Sequence, residues 1–179
     1  MRKLSMEELG RKSVEEFRQA EKMPIIVVLE NIRSAYNVGS VFRTADAFLL
    51  HSIYICGYTA YPPHKEITKT ALGAEDTINW KYFKQTNEAI EELRKEGYRV
   101  FAVEQALNSC LLQDVKVKNE KLAVIFGNEV TGVEQATIEL TDGCIEIPQL
   151  GMKHSLNIAT AAGVVLWELV RSRIQSLEE

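Results

Sequence analysis

Five short apolar runs recur along the chain, and helical patterns separate them. The runs are rich in β-branched residues and bounded by proline or polar turns, as is typical of buried parallel strands. They cover residues 24–30, 52–56, 98–103, 122–126 and 144–147. The helical patterns cover residues 37–50, 65–72, 86–96, 133–140 and 155–174. This alternation predicts an α/β fold whose sheet is mostly parallel and flanked by helices.

The residues before the first run also show helical spacing. Met6, Leu9, Val14 and Phe17 recur at intervals that predict an amphipathic leading helix over residues 5–22. This segment carries both basic and acidic side chains. It can therefore be a solvated helix face or part of a contact with an anionic partner.

A chain of 179 residues is long enough for one well-packed domain and short for two. We therefore predict a single domain over residues 1–179, with the leading helix in 1–23 and the core in 24–174. One fold must then carry every site that the protein has.

The sequence lacks the features of membrane proteins, secreted proteins and metal-binding proteins. The apolar runs are too short or too interrupted to cross a bilayer, and the first residues lack an apolar signal core, which predicts a cytoplasmic protein without a membrane partner. The three cysteines are scattered and include no Cys-x-x-Cys pair, and His51, His64 and His154 have no metal-like spacing. We therefore predict reduced thiols and no metal site.

The net charge of −4 and the pI of about 5.5 do not favour a nucleic-acid partner. Any RNA site on this chain must therefore be local. The candidate cations outside the leading segment are Arg33, Arg43, Lys65 and Lys69.

In a parallel sheet, ligands bind where the carboxyl ends of strands run into loops. No Gly-x-Gly-x-x-Gly follows any predicted strand, which disfavours the usual dinucleotide turn. Gly127 and Gly132 have the spacing of a phosphate loop, but Val133 stands where that loop needs lysine. No serine-hydrolase or zinc-protease motif occurs either.

The first informative loop follows the first predicted strand and leads into a helix. Asn37 falls where the helix is predicted to begin, so its side chain can cap free amides. Arg43 lies six residues further on, and we expect both side chains to reach one point above the strand end. Such a pair suits a phosphate and a sugar hydroxyl. A capped helix with a surface arginine explains the same residues.

The second loop ends the strand at 122–126 in a turn bounded by Gly127 and Gly132, with Glu129 between them. A carboxylate there can accept hydrogen bonds from backbone amides or pair with a cation. The alternative is a strand-to-helix turn with a solvated glutamate.

The third loop passes from the strand at 144–147 through Pro148 and Gly151 into the last helix. Ser155 can be the N-cap of that helix. The run 159–163 consists of small residues, which allow another backbone to approach closely.

Together and in this order, the three segments resemble the three motifs of the SpoU/TrmH family of RNA methyltransferases, within the SPOUT superfamily. The resemblance covers residues 25–170, almost the whole chain. It implies an α/β knot fold in which the C-terminal segment forms a deep trefoil knot, a homodimer, and S-adenosylmethionine bound in a bent form. It also implies methylation of a ribose 2′-hydroxyl of tRNA or rRNA, with RNA and not DNA as the partner.

The resemblance also assigns roles to individual residues. The positions that match catalytic residues of the family are Asn37, Arg43, Glu129, Ser155 and Asn157. Those that match or adjoin the cofactor site are Val103, Glu104, Gly127, Ile147 and Leu156. Gln149 stands where the family often has methionine, and Ile158 with Ala159 replaces a common valine-serine pair, so these cofactor contacts differ from the usual pattern.

Two other functions fit parts of the sequence. The chain could be a catalytically silent RNA-binding module of the same fold, although the complete set of catalytic matches speaks against it. It could also be an α/β nucleotide-binding enzyme of another family, which would bind a phosphorylated cofactor instead of S-adenosylmethionine.

Overall fold

The protein, described here from a computed structural model, is built around a seven-stranded sheet in which every neighbouring pair of strands is parallel. The structure describes residues 1–5, 7–10, 12–116 and 120–178. The strands are β1 Met23–Glu30, β2 Leu50–Cys56, β3 Asn79–Phe83, β4 Arg99–Val103, β5 Cys110–Leu111, β6 Leu122–Phe126 and β7 Gly143–Glu146. The helices are α1 Val14–Gln19, α2 Ala35–Ala47, α3 Lys65–Ala71, α4 Thr86–Lys95, α5 Gln135–Ile138 and α6 Ile158–Glu178.

Strand β1 lies inside the sheet, and its side chains alternate between two apolar layers. Ile25, Val27 and Leu29 pack on one face with residues of α1, α2, α3 and α6. Ile26 and Val28 pack on the other face with residues of α4. All five side chains are fully buried, so the near-continuous apolar run in the sequence reflects burial on both faces.

The order of strands in the sheet is β3-β2-β1-β6-β4-β7-β5. Leu29 of β1 pairs with Phe126 of β6, and Ala102 of β4 pairs with Ile125. These strands therefore end at nearly the same level. Since all of them are parallel, the loops that follow β1, β6, β4 and β7 meet at one edge of the sheet, where ligands bind in such folds.

The predicted α/β fold with a parallel sheet flanked by helices is confirmed. All five predicted strands and the five helices of the core are present, with ends that differ from prediction by up to four residues. The sequence analysis missed β3 and β5. Strand β3 carries Asn79 and Lys81 at the edge of the sheet, and β5 has only two residues, so neither forms an apolar run.

The predicted leading helix over 5–22 is wrong in extent, since among the described residues of that segment the helix covers Val14–Gln19 alone. Ser13 caps this helix in a capping box with Glu16, and Gly10 has a φ of +56°, which breaks any continuation towards the N-terminus. Of the apolar residues behind the prediction that the structure describes, Phe17 is buried, whereas Leu9 and Val14 are exposed. Met6 and Arg11, which the prediction also covered, lie outside the described residues.

Candidate active site

The loop after β6 forms a tight turn that leaves no room for a side chain at Gly127. A Cβ atom at Gly127 would lie 2.2 Å from the carbonyl carbon of Gly132. The backbones of Asn128 and Gly132 exchange two hydrogen bonds, of 3.0 and 2.9 Å. The Asn128 side-chain oxygen accepts from the amides of Val130 and Thr131. The turn is therefore fixed by its own polar groups.

Glu129, at the tip of this turn, reaches across to the loop after β1. Its carboxylate accepts hydrogen bonds from the backbone N–H of Arg33 at 2.8 Å, from the N–H of Ser34 at 3.0 Å and from Asn37 Nδ2 at 3.0 Å. Partial burial opposes ionisation, but these donors outweigh it and hold the pKa of Glu129 below its usual value. The carboxylate therefore joins the first and second loops as a charged acceptor.

Asn157 joins the third loop to the same network. Its Nδ2 donates to Asn37 Oδ1 at 3.2 Å, and its Oδ1 accepts from the backbone N–H of Ala159 at 2.9 Å. Glu129, Asn37 and Asn157 thus form a continuous chain of hydrogen bonds, which we call the polar joint. The three loops singled out in the sequence meet at this joint.

Two predicted capping roles are wrong. Ser34, not Asn37, is the N-cap of α2, and its hydroxyl accepts from the Asn37 N–H. Asn157, not Ser155, caps the start of α6. Asn37 lies one turn inside the helix, which frees its amide to bridge Glu129 and Asn157.

A cavity of about 540 Å³ opens beside the polar joint, at the carboxyl ends of β4, β6 and β7. Of the predicted site residues it is lined by Val103, Glu104, Gly127, Glu129, Ile147, Ser155 and Leu156. All the residues expected at the cofactor therefore border one cavity. Buried apolar side chains form its floor, namely Phe126, Val133, Ile145 and Ile158.

Glu104 fastens the loop after β4 to the turn after β6. Its carboxylate accepts from the backbone N–H of Val133 at 3.1 Å and from that of Gln105 at 2.9 Å. A Cβ atom at Gly132 would lie 2.1 Å from Glu104 Oε2. Gln105 in turn donates through Nε2 to the carbonyl of His154 at 2.6 Å, which links this loop to the segment before α6.

Arg43 does not join the other candidate catalytic residues within the chain. Six residues along a helix correspond to a rotation of about 240°, so Asn37 and Arg43 point from different sides of α2. Arg43 is exposed and lines a separate hollow of about 580 Å³ between α2, α3 and α6. Among the described residues its guanidinium has no hydrogen-bond or ion-pair partner. The expectation that both side chains reach one point is therefore wrong for a single chain.

Several residues that support the site were missed by the sequence analysis. Asn31 has a φ of +54° at the end of β1, and its carbonyl accepts from Asn128 Nδ2 at 2.9 Å. Asn128 Nδ2 also donates to the Tyr58 hydroxyl at 2.7 Å. The buried Glu30 accepts from the Glu134 N–H at 2.9 Å. An asparagine directly after a buried strand, a residue type that tolerates positive φ, was the available signal.

The three cysteines are free thiols, and burial leaves one of them unreactive. Cys56, Cys110 and Cys144 are free, and burial raises the pKa of the Cys56 thiol to about 12, so this thiol is not a nucleophile. Within the described part of the chain, no cluster of His, Cys, Asp or Glu has an arrangement that could hold a metal. None of the described helices combines the length and apolarity that a membrane span requires.

Comparison with known proteins identifies the family. The model of the SpoU rRNA methylase family matches residues 24–167, which is most of the chain. The chain belongs to the SpoU rRNA methylase family. This confirms the resemblance that the three motifs suggested.

Individual relatives agree with the family assignment. The chain is 30% identical over 169 residues to the tRNA (guanosine(18)-2′-O)-methyltransferase of Thermus thermophilus, and the match covers 94% of this chain and 86% of the relative. It is 28% identical, with a TM-score of 0.79, to a crystal structure of an AdoMet-bound rRNA methyltransferase from Sinorhizobium meliloti, covering 87% of this chain and 59% of that one. The A. aeolicus TrmH/SpoU tRNA modifying enzyme shares the fold, with a TM-score of 0.81 at 23% identity over 91% of this chain and 83% of that chain.

Proposed function

We propose that this protein transfers a methyl group from S-adenosylmethionine to a ribose 2′-hydroxyl of tRNA or rRNA. The observation that carries the proposal is the polar joint. In it, hydrogen bonds connect one residue from each of the three family motifs, beside a cavity. Relatives of the chain are named as a tRNA (guanosine(18)-2′-O)-methyltransferase and as a 23S rRNA (guanosine-2′-O-)-methyltransferase. In this proposal a single domain holds both the cofactor and the catalytic side chains.

The cavity fits S-adenosylmethionine in size and in chemistry. Its volume of about 540 Å³ lies within the range of about 300–1,000 Å³ that small-ligand sites occupy. Gly127 and Gly132 bring bare backbone to its wall, and Ile147 and Leu156 border it on the side of the third loop. The Glu129 carboxylate gives the wall negative charge, which suits a cationic ligand. The cofactor, when bound, supplies an electrophilic methyl group on a sulfonium.

In this mechanism the chain contributes positioning and charge. Methyl transfer requires the attacking oxygen to be held in line, with water excluded from the path. Arg43 binds the ribose oxygen and the adjacent phosphate, and its guanidinium stabilises the alkoxide as it develops. An arginine keeps its proton in proteins, so the hydroxyl proton leaves to water or to a phosphate oxygen.

We further propose that the active form is a homodimer in which Arg43 of one protomer faces the cofactor cavity of its partner. Two features support this: Arg43 lies outside the cavity of its own chain, and α6 presents an apolar groove of about 520 Å³ beside Pro148. Val164 and Trp167 in this groove are 41% and 50% exposed. A two-fold contact between such grooves would bury them and bring Arg43 to the partner's site.

Measurement of size in solution tests this assembly. The wild-type protein should behave as a dimer at micromolar concentration, and Trp167→Glu should give a monomer that no longer methylates RNA, because a charge would be buried at the interface. Tyr61→Glu changes an aromatic residue of similar exposure on the β2–α3 loop and should leave the dimer intact. A wild-type monomer that methylates RNA would refute a shared active site.

We also propose that the segment 147–157 passes through the connection between β4 and β5, which would form the trefoil knot. The strand order supports this threading because β7 lies between β4 and β5. Residues 104–109, which link those two strands, must therefore cross the line of β7. The chain leaving β7 passes beside this connection, as the hydrogen bond from Gln105 to the His154 carbonyl indicates.

Labelled S-adenosylmethionine tests the proposed activity directly. Incubation with unmodified tRNA and with unmodified rRNA should transfer label to one of the two pools, and mapping should place the methyl group on a ribose. RNA binding without transfer would support the silent-module alternative. If NAD or ATP binds and S-adenosylmethionine does not, the general nucleotide-binding alternative is favoured and the proposed function is wrong.

A further inference from the structure

The hollow that contains Arg43 also contains a second cation, Lys69, which has no role in the mechanism above. Both side chains are exposed and line the same space of about 580 Å³. The other polar residues of its lining are hydroxyl-bearing: Ser40, Thr44 and Thr70. No carboxylate lies among the described residues that line the hollow. Two cations and several hydroxyl groups, with no carboxylate among the described lining residues, favour an oxyanion such as phosphate as the ligand.

A close crossing of α2 and α3 puts the two cations together. At Gly39 a Cβ atom would lie 2.1 Å from Thr70 Oγ1 and 2.3 Å from the carbonyl oxygen of Ile67. Only glycine permits this approach. The Thr70 hydroxyl donates to the carbonyl of Tyr36 at 2.9 Å and fixes the register of the two helices. The neighbouring residue, Lys69, therefore lines the same hollow as Arg43.

A weak aromatic contact also orients the lysine. Lys69 Nζ lies 5.8 Å from the centre of the Tyr36 ring, within the range of a cation–π contact. Among the described residues Lys69 has no ion-pair partner, so its charge is available to a ligand. Although the net charge of the chain is −4, this hollow is lined by two cations and by no described carboxylate.

We propose that Lys69 is a substrate-binding residue, which together with Arg43 clamps a backbone phosphate of the RNA next to the target ribose. This inference rests on the proposed function, because it takes the RNA as the ligand. Arg43 would contact both the ribose and the phosphate, whereas Lys69 would contact the phosphate alone. The loss of Lys69 should therefore weaken RNA binding with little effect on the chemical step.

Salt-dependent RNA binding tests the clamp. Binding of fluorescently labelled tRNA transcript to the S-adenosylhomocysteine-loaded protein is measured by anisotropy over a range of salt concentrations. Each phosphate contact contributes about 0.7–0.9 to the slope of log affinity against log salt, so Lys69→Gln should lower that slope by about this amount. In methylation assays KM should rise about fivefold, as for the loss of one exposed charge contact, with kcat nearly unchanged.

Two further variants separate a specific contact from general charge. Lys69→Arg keeps a cation in the hollow and should retain the wild-type slope and KM. Lys95→Gln removes the same charge from α4, on the opposite face of the sheet, and should change neither quantity. The proposal is overturned if Lys69→Gln keeps the wild-type slope and KM, or if Lys95→Gln shows the same losses. Because binding is measured without methyl transfer, failure of the clamp is distinguishable from failure of the proposed function.

Discussion

Replacing Arg43 with alanine should abolish most methyl transfer and leave the fold and the cofactor affinity nearly unchanged. The side chain is exposed, lies outside the cofactor cavity and has no hydrogen-bond partner among the described residues, so its removal costs little stability. Loss of a charge that stabilises a transition state typically lowers the rate by about 10²–10³. Single-turnover methylation, measured beside calorimetric titration with S-adenosylhomocysteine, gives both quantities.

Two comparison variants sharpen this result. Arg43→Lys should rescue little activity, because an ammonium group does not reproduce the two-pronged contact of a guanidinium. Asn157→Ala should instead weaken cofactor binding, since Asn157 caps α6 and completes the polar joint beside the cavity. Near-normal turnover of Arg43→Ala would contradict the mechanism. Glu129 or Ser155 would then be the candidates for the catalytic role assigned to Arg43.

Replacing Gly127 with alanine should abolish cofactor binding, although it adds only one methyl group. The new Cβ would lie 2.2 Å from two backbone atoms of the 132–133 peptide, so the turn that forms the cavity wall must open. Such overpacking costs about 1–3 kcal/mol of folding stability. Saturating S-adenosylhomocysteine should raise the melting temperature of the wild-type protein by mass action and leave that of Gly127→Ala unchanged.

Gly151→Ala is the matched control, because it makes the same change at a glycine whose Cβ would meet nothing within 4 Å. This variant should keep the ligand-induced rise in melting temperature. If Gly127→Ala binds S-adenosylhomocysteine as well as Gly151→Ala does, the cofactor does not depend on the turn after β6. The placement of the cofactor in this cavity would then be wrong.

The buried strands were predictable because burial on both faces leaves a continuous apolar run. Edge strand β3 gave no such signal, since Asn79 and Lys81 face solvent within it. The same contrast applies to the site. The resemblance to the family predicted three cofactor-site residues that line the cavity, namely Gly127, Ile147 and Leu156. Composition alone does not show where a backbone comes close to a ligand.

The predictions for the site were wrong where the hydrogen-bond partner of a side chain is distant in sequence. Local spacing made Asn37 a helix cap, but its amide is held by Glu129 and Asn157, which lie far along the chain. The spacing also led us to predict that Arg43 and Asn37 reach the same point. Their side chains leave the helix in different directions, because six residues correspond to a rotation of about 240°. The sequence predicted which residues belong to the site, and the tertiary structure shows which of them lie together.

The strand order also has a consequence for how the protein matures during translation. Strand β1 leaves the ribosome long before its neighbour β6 is made, and Asn157 is made later still. Folding of such distant pairs is slow relative to local structure. A growing chain that has not yet released residue 157 lacks one side of the polar joint. On the proposed mechanism, catalytic competence is therefore deferred until Asn157 has left the ribosome.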